Sequence, residues 1–335
     1  MKHQYLAPTA ALAFTLAVVS LAPAPVAGQT RLTPAKKWTQ PRTPDGQPDL
    51  QGIWSNATIT PFERPKELAG KEFFTEQEAA DYEKRILREG NRDIRGRTAA
   101  ADVNGAYNEF WFDRGTKVVP TRRTSLVVDP TDGRVPPLTP EAQKAAAVRD
   151  EIARRQPEGP EELALVVRCI VWPTAVPLLP TAYNNNYQIL QTPGYVTILT
   201  EMIHDARIIP LDGRPHIPEN IRLWLGDSRG HWEGTTLVVD TTNFNDKTHL
   251  RNSDRNLHLT ERFTRTDENT ILYQFTVDDP TAFTRPWTGE VPLTTAPGPI
   301  YEYACHEGNY AMADILKGAR AQEREAAAAA KKDSR

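Results

Sequence analysis

The chain has 335 residues, 40 Lys and Arg against 43 Asp and Glu, a formal net charge of −3, and 28 prolines. This balance gives no reason to expect nucleic acid or an anionic membrane as a partner, and the length suffices for one large domain or two small ones. The prolines argue against long helices and for turns, edge strands and irregular stretches.

Residues 1–28 read as a cleaved secretory signal peptide. Met1-Lys2-His3 is the short positive region, Ala10 to Leu21 the apolar run, and Ala22 to Gly28 the small-residue stretch suited to cleavage. The apolar run is shorter than the roughly 20 residues a membrane span needs. No membrane insertion is therefore expected after cleavage, and the mature protein is expected in the periplasm or secreted. Residues 29–50 are polar and proline-rich and read as a disordered lead-in.

A single β-rich domain is expected over 51–320. It opens with Gly52-Ile53-Trp54. This Gly-x-Trp resembles the opening strand of lipocalin-like barrels, whose Trp plugs the barrel base; the same Trp also reads simply as core. Thr75 and Glu78 form a capping box for a helix over 75–89, and 91–108 reads as an exposed loop. Strands over 125–129 and 134–135 flank the turn sequence 130–133. A second helix over 139–155 starts with Thr139, Pro140 and Gln143.

Strands follow at 187–191 and 195–201, joined by Thr192-Pro193-Gly194, where Pro-Gly suits a type II turn. Further pairs are expected at 223–225 with 236–241, around a connection over 226–234, and at 257–265 with 271–277. Ile271, Tyr273, Phe275 and Val277 alternate with Leu272, Gln274 and Thr276, and Trp287, Gly289, Val291 and Leu293 alternate likewise, the period of a half-buried antiparallel strand. A third helix is expected over 311–332, with 321–335 as a polar tail that frays. About ten short strands with three peripheral helices make a mainly β protein, an antiparallel β-barrel or sandwich. Cys169 and Cys305 are the two cysteines, and in an oxidising compartment they are expected to pair.

Four stretches resemble a group of exported bacterial proteins of unknown function. They are YNNNYQILQTPGY (183–195), HDARIIPLDGRPH (204–216), GHWEGTTLVVDTTNF (230–244) and YEYACHEGNY (301–310). The resemblance covers most of 105–325 and implies a bacterial periplasmic or secreted protein; it implies no activity.

Beyond His3, the histidines are His204, His216, His231, His249, His258 and His306, all in one third of the chain. Histidine is the side chain best suited to proton transfer near neutral pH. The densest polar segment, Glu201 to Arg207, lies between apolar runs, where charges must pair or do chemistry. In the catalytic reading His204 transfers the proton, Glu201 or Asp205 fixes its tautomer, and Arg207 balances charge. In the structural reading a Glu–Arg or Asp–Arg pair closes a barrel and His204 bonds to backbone.

Substrate contacts are expected from Asn185 and Tyr187 in the asparagine run, from Trp232, Arg285 and Trp287 at a barrel mouth, and from His306. Asn184 to Asn186 also reads as a turn, and His306-Glu307 as a helix cap. No Gly-x-Ser-x-Gly elbow, phosphate loop, His-Glu-x-x-His or Cys-x-x-Cys is present. His204, Asp205, His231 and His306 could approach a metal, but no ligand pair has metal spacing, so neither metal nor cofactor is expected. These residues imply an exported enzyme, a lyase, isomerase or hydrolase, doing acid–base chemistry on a small organic or sugar-like substrate. The alternative is a non-catalytic periplasmic binding protein for an apolar or aromatic small molecule.

Overall fold

Period-two alternation builds the sheet, and the computed structural model describes it within residues 38–94, 98–99, 108–172, 175–248 and 250–333. The signal peptide, the lead-in up to residue 37, part of the 91–108 loop, His249 and the last two residues of the tail lie outside the described residues. The strands are β1 (Gly52–Ser55), β2 (Val127–Asp129), β3 (Asn186–Thr192), β4 (Tyr195–Thr200), β5 (Ala206–Pro210), β6 (Asp227–Glu233), β7 (Thr236–Thr242), β8 (His258–Asp267), β9 (Thr270–Asp278) and β10 (Trp287–Thr295). All are antiparallel. Nine follow the path β5-β4-β3-β1-β10-β9-β8-β7-β6, with β2 added on β10.

This sheet curls into a nearly closed barrel. Its ends, β5 and β6, lie side by side without a hydrogen-bonded ladder. Gly230 of β6 allows that approach, since a Cβ there would stand 2.8 Å from Ile209 Cγ2 and 2.7 Å from Leu211 Cδ2. Ile271, Tyr273, Phe275 and Val277 of β9 face the core and are fully buried, as are Trp287, Val291 and Leu293 of β10. Trp54 of β1 joins that core and donates its indole N–H to the Leu50 carbonyl at 2.9 Å. Val176, Leu178 and Leu179 pack into the same cluster. The Leu178 N–H donates to the Tyr273 hydroxyl at 3.0 Å, and its carbonyl accepts from Asn56 at 3.2 Å. The barrel interior is thus filled by the chain itself.

Among the described residues three long helices flank the barrel: α1 (Glu76–Glu89), α2 (Pro140–Arg154) and α3 (Ala311–Asp333). Thr75 and Glu78 complete the expected capping box on α1. Thr139 caps α2, whereas Gln143 donates to the Leu138 carbonyl instead of closing a box. Cys169 and Cys305 form the expected disulfide, with an S–S distance of 2.05 Å. Among the described residues no helix is long and apolar enough to cross a membrane.

Three local expectations are corrected. Residues 39–50 are packed, not disordered: Leu50 is fully buried, and Gln191 and Arg265 satisfy backbone groups of Pro48, Asp49 and Leu50. Residues 134–135 form no strand, because β2 pairs with β10 rather than with them. Residues 226–234 are no connection: the strand opposite β7 is Asp227–Glu233, polar on its outer face, and 223–225 precedes it. The expected third helix over 311–332 is present and runs to Asp333, since the alanine run 326–330 is a strong helix former.

Candidate functional site

The expected cluster over 201–207 is dispersed by a break in the chain. β4 ends at Thr200, and a short turn over Met202–His204 follows, with positive φ at Ile203 and His204. Met202 and Ile203 take the buried positions. Glu201 is buried and accepts from the Asn186 side-chain amide at 2.9 Å. His204 is exposed, and its Nδ1 lies 3.1 Å from the Tyr303 carbonyl oxygen, a backbone partner and not a carboxylate. Burial raises the Asp205 carboxyl above its ordinary value, against the pull of the Trp172 backbone N–H and of His204. Arg207 points into the barrel and pairs with Glu261 of β8, a partner outside the segment.

The expected substrate contacts are also apart. Asn185 is buried and holds Asp113 and Thr181. The Tyr187 hydroxyl accepts from Asn56 inside the barrel. Trp287 is sealed among Phe62, Phe275 and Phe283, and Trp232 packs partly against the core. Arg285 is exposed on Asp129, and His306 is exposed beside the disulfide.

A different array of ionisable groups converges on the outer face of the β6–β7–β8 end. On β7, Leu237, Val239 and Thr241 point inward, which turns Asp240 outward. The register sets Arg229 of β6 opposite Asp240 and Thr260 of β8 on its other side, which leaves His258 at the diagonal position. His258 Nε2 lies 2.5 Å from Asp240 Oδ2. His216, from the loop after β5, reaches the other oxygen of Asp240 through Nε2 at 2.8 Å. Its Nδ1 lies 2.8 Å from Asp227 Oδ2, and Arg229 closes the chain on Asp227 at 2.8 Å. Both His216 nitrogens face carboxylate oxygens.

Asn243 holds the covering loop in place. It sits just past β7 in the left-handed region, which asparagine tolerates. Its buried amide reaches the carbonyls of Ile217, Pro218 and Ile221 at 3.0 to 3.1 Å. The loop and the start of β8 border an open cavity of about 580 Å³, lined by His216, His258, Arg222, Arg255 and Asn243 among others. The hydrogen bond to Asp240 raises the His258 imidazolium above its ordinary value, with partial burial opposing it. The same bond, again opposed by burial and helped by His216, lowers the Asp240 carboxyl.

Sequence reasoning named His216 and His258 only as members of a histidine-rich third of the chain and missed Asp227, Asp240, Asn243, Arg222 and Arg255. One signal was available: Asp240 interrupts the otherwise apolar Leu237-Val238-Val239, and an acid in such a strand needs a partner. Among the described residues no group of three or more His, Cys, Asp or Glu side chains is arranged to hold a metal ion. Comparison with protein-family models, with curated proteins and with solved structures finds no match.

Proposed function

We propose that this chain is an exported enzyme performing acid–base chemistry, as a lyase, isomerase or hydrolase, on a small organic or sugar-like substrate bound beside His258. The carrying observation is the 2.5 Å contact between His258 and Asp240 at a cavity of about 580 Å³. A carboxylate on one ring nitrogen fixes the tautomer and raises the basicity of the other, the arrangement a general acid or base needs. Asp240 is the orienting residue, and His216 with Asp227 holds Asp240 in turn. Thr242 carries the only hydroxyl among the described lining residues, and it donates to Asn243 at 2.8 Å, so no side-chain hydroxyl there is set up as a nucleophile. That favours proton transfer over covalent catalysis.

Export is supported by the signal-like N-terminus, by the disulfide, and by the resemblance to exported bacterial proteins. An apolar-ligand binder of the barrel type would need interior room that Val176, Leu178 and Leu179 occupy, which favours the enzyme reading.

The test is a turnover screen of the purified mature protein against pooled small acids, esters, sugars and neutral carbonyl compounds, with His258→Gln run beside it. The reading expects at least one compound consumed by wild type and roughly 10²–10⁴-fold more slowly by the variant. Equal consumption by both proteins would sink it.

A further inference from the structure

Two cations at the His258 pocket have no carboxylate partner among the described residues. Asp227 is met by Arg229 and His216, and Asp240 by His216 and His258. Arg222 and Arg255 remain, and among the described residues neither pairs with a carboxylate. Arg222 donates to the Arg255 backbone carbonyl at 2.8 Å, which fixes one guanidinium against the chain that carries the other. Glu219 is the remaining acid of the lining, and it is exposed. The rest of the wall includes Pro215, Ile217, Pro218 and Leu257, so an apolar surface stands beside the two cations.

We infer that the cavity takes a small organic anion, a carboxylate on an apolar body, with its charged end held by Arg222 and Arg255. Guanidinium groups match the carboxylate in shape as well as charge, which an ammonium does not. The cavity volume falls in the range of small-molecule sites, where a few polar groups orient a largely apolar ligand. The inference deepens the acid–base reading by naming its substrate class, and it rests on that reading only for the claim that the bound anion is also the reactant.

Calorimetric titration of the whole mature protein separates the two. The probes are 3-phenylpropanoate, its neutral amide and inorganic phosphate. The acid should bind with Kd below about 1 mM, and the amide and phosphate at least about tenfold more weakly, one lacking the charge and the other the apolar body. Arg255→Gln, at an exposed position, should weaken the acid about tenfold or more, and Arg222→Gln should do the same. Equal affinity for acid and amide, phosphate binding as tightly as the acid, or Arg255→Gln binding the acid within twofold of wild type would overturn the inference. Arginine-dependent binding with no His258-dependent turnover of any acid would leave anion binding standing and remove the acid–base reading. Turnover confined to neutral compounds would do the reverse.

Discussion

Arg207 of β5 and Glu261 of β8 form a two-pronged ion pair inside the barrel, where Glu261 is fully buried and also accepts from the Tyr273 hydroxyl at 2.8 Å. The pair spans the seam between β5 and β6, where no ladder joins the strands. Burial disfavours the Arg207 charge, but Glu261 holds it protonated above its ordinary range. Burial, then the Glu261 charge, pushes the Tyr273 hydroxyl well above its ordinary value.

The pair sets the first prediction. Arg207→Met or Glu261→Met alone should lower unfolding free energy by about 3–5 kcal/mol, because each strands the partner in the core. The double variant Arg207→Met/Glu261→Met should lose less than the sum. Urea unfolding of the four proteins measures this, and additive losses would show that the two side chains do not act as a pair.

His204 is the second. It is exposed on the Tyr303 carbonyl, away from the Asp240–His258 array. His204→Ala should keep kcat/KM within about threefold of wild type and change stability by about 0.5–1.5 kcal/mol, the worth of one hydrogen bond. A loss of roughly 10²-fold or more would return the proton-transfer role to the 201–207 segment.

The third concerns Cys169 and Cys305, 136 residues apart in sequence. Their bond removes loop entropy from the unfolded chain worth about 4–5 kcal/mol in the chain-entropy model. It also fixes Asn309, whose amide donates to the Val167 carbonyl at 3.0 Å. Reduction, or Cys169→Ser with Cys305→Ser, should lower the denaturant midpoint while leaving the far-ultraviolet circular dichroism of the sheet in place. An unchanged midpoint would remove the disulfide from the account of stability.

The fourth is a pH dependence. His258 is raised above 6.5, so its contribution to stability is complete below about 6.5 and is lost as pH rises through the folded value. Asp240 is lowered below 3.8, so its contribution is present above that value and is lost as pH falls through the folded one. The difference in Tm between wild type and Asp240→Asn should therefore be largest between about pH 4 and 6.5 and shrink at higher pH. A difference that stays constant to pH 9 would mean that the two groups are not coupled.

What could be read from the sequence follows from where each residue points. Tyr273, Phe275, Trp287 and Val291 alternate with polar neighbours, so β9 and β10 were legible as half-buried strands. Thr75 with Glu78, and Pro193-Gly194 with Gly194 at φ +81°, declared a helix start and a turn by local chemistry alone. Asp227–Glu233 was not legible, because Arg229, His231 and Glu233 face outward while Gly230 offers no side chain to the core. Losing that strand hid the register that sets Arg229 opposite Asp240, and with it the site. Arg207 and Glu261 lie 54 positions apart, a pairing that only the closure of the barrel creates. The 201–207 segment looked like one cluster because nothing local reveals the left-handed turn at Ile203 and His204 that splits it.

If Asp240 tunes His258 for proton transfer, the pH profile of kcat/KM differs between wild type and Asp240→Asn, measured on the first substrate the screen yields. Wild type should show a limb above pH 6.5, because Asp240 holds the imidazolium up. In Asp240→Asn that limb should move to lower pH, with the plateau reduced roughly tenfold or more. A limb at the same pH in both proteins, on an undiminished plateau, would contradict it.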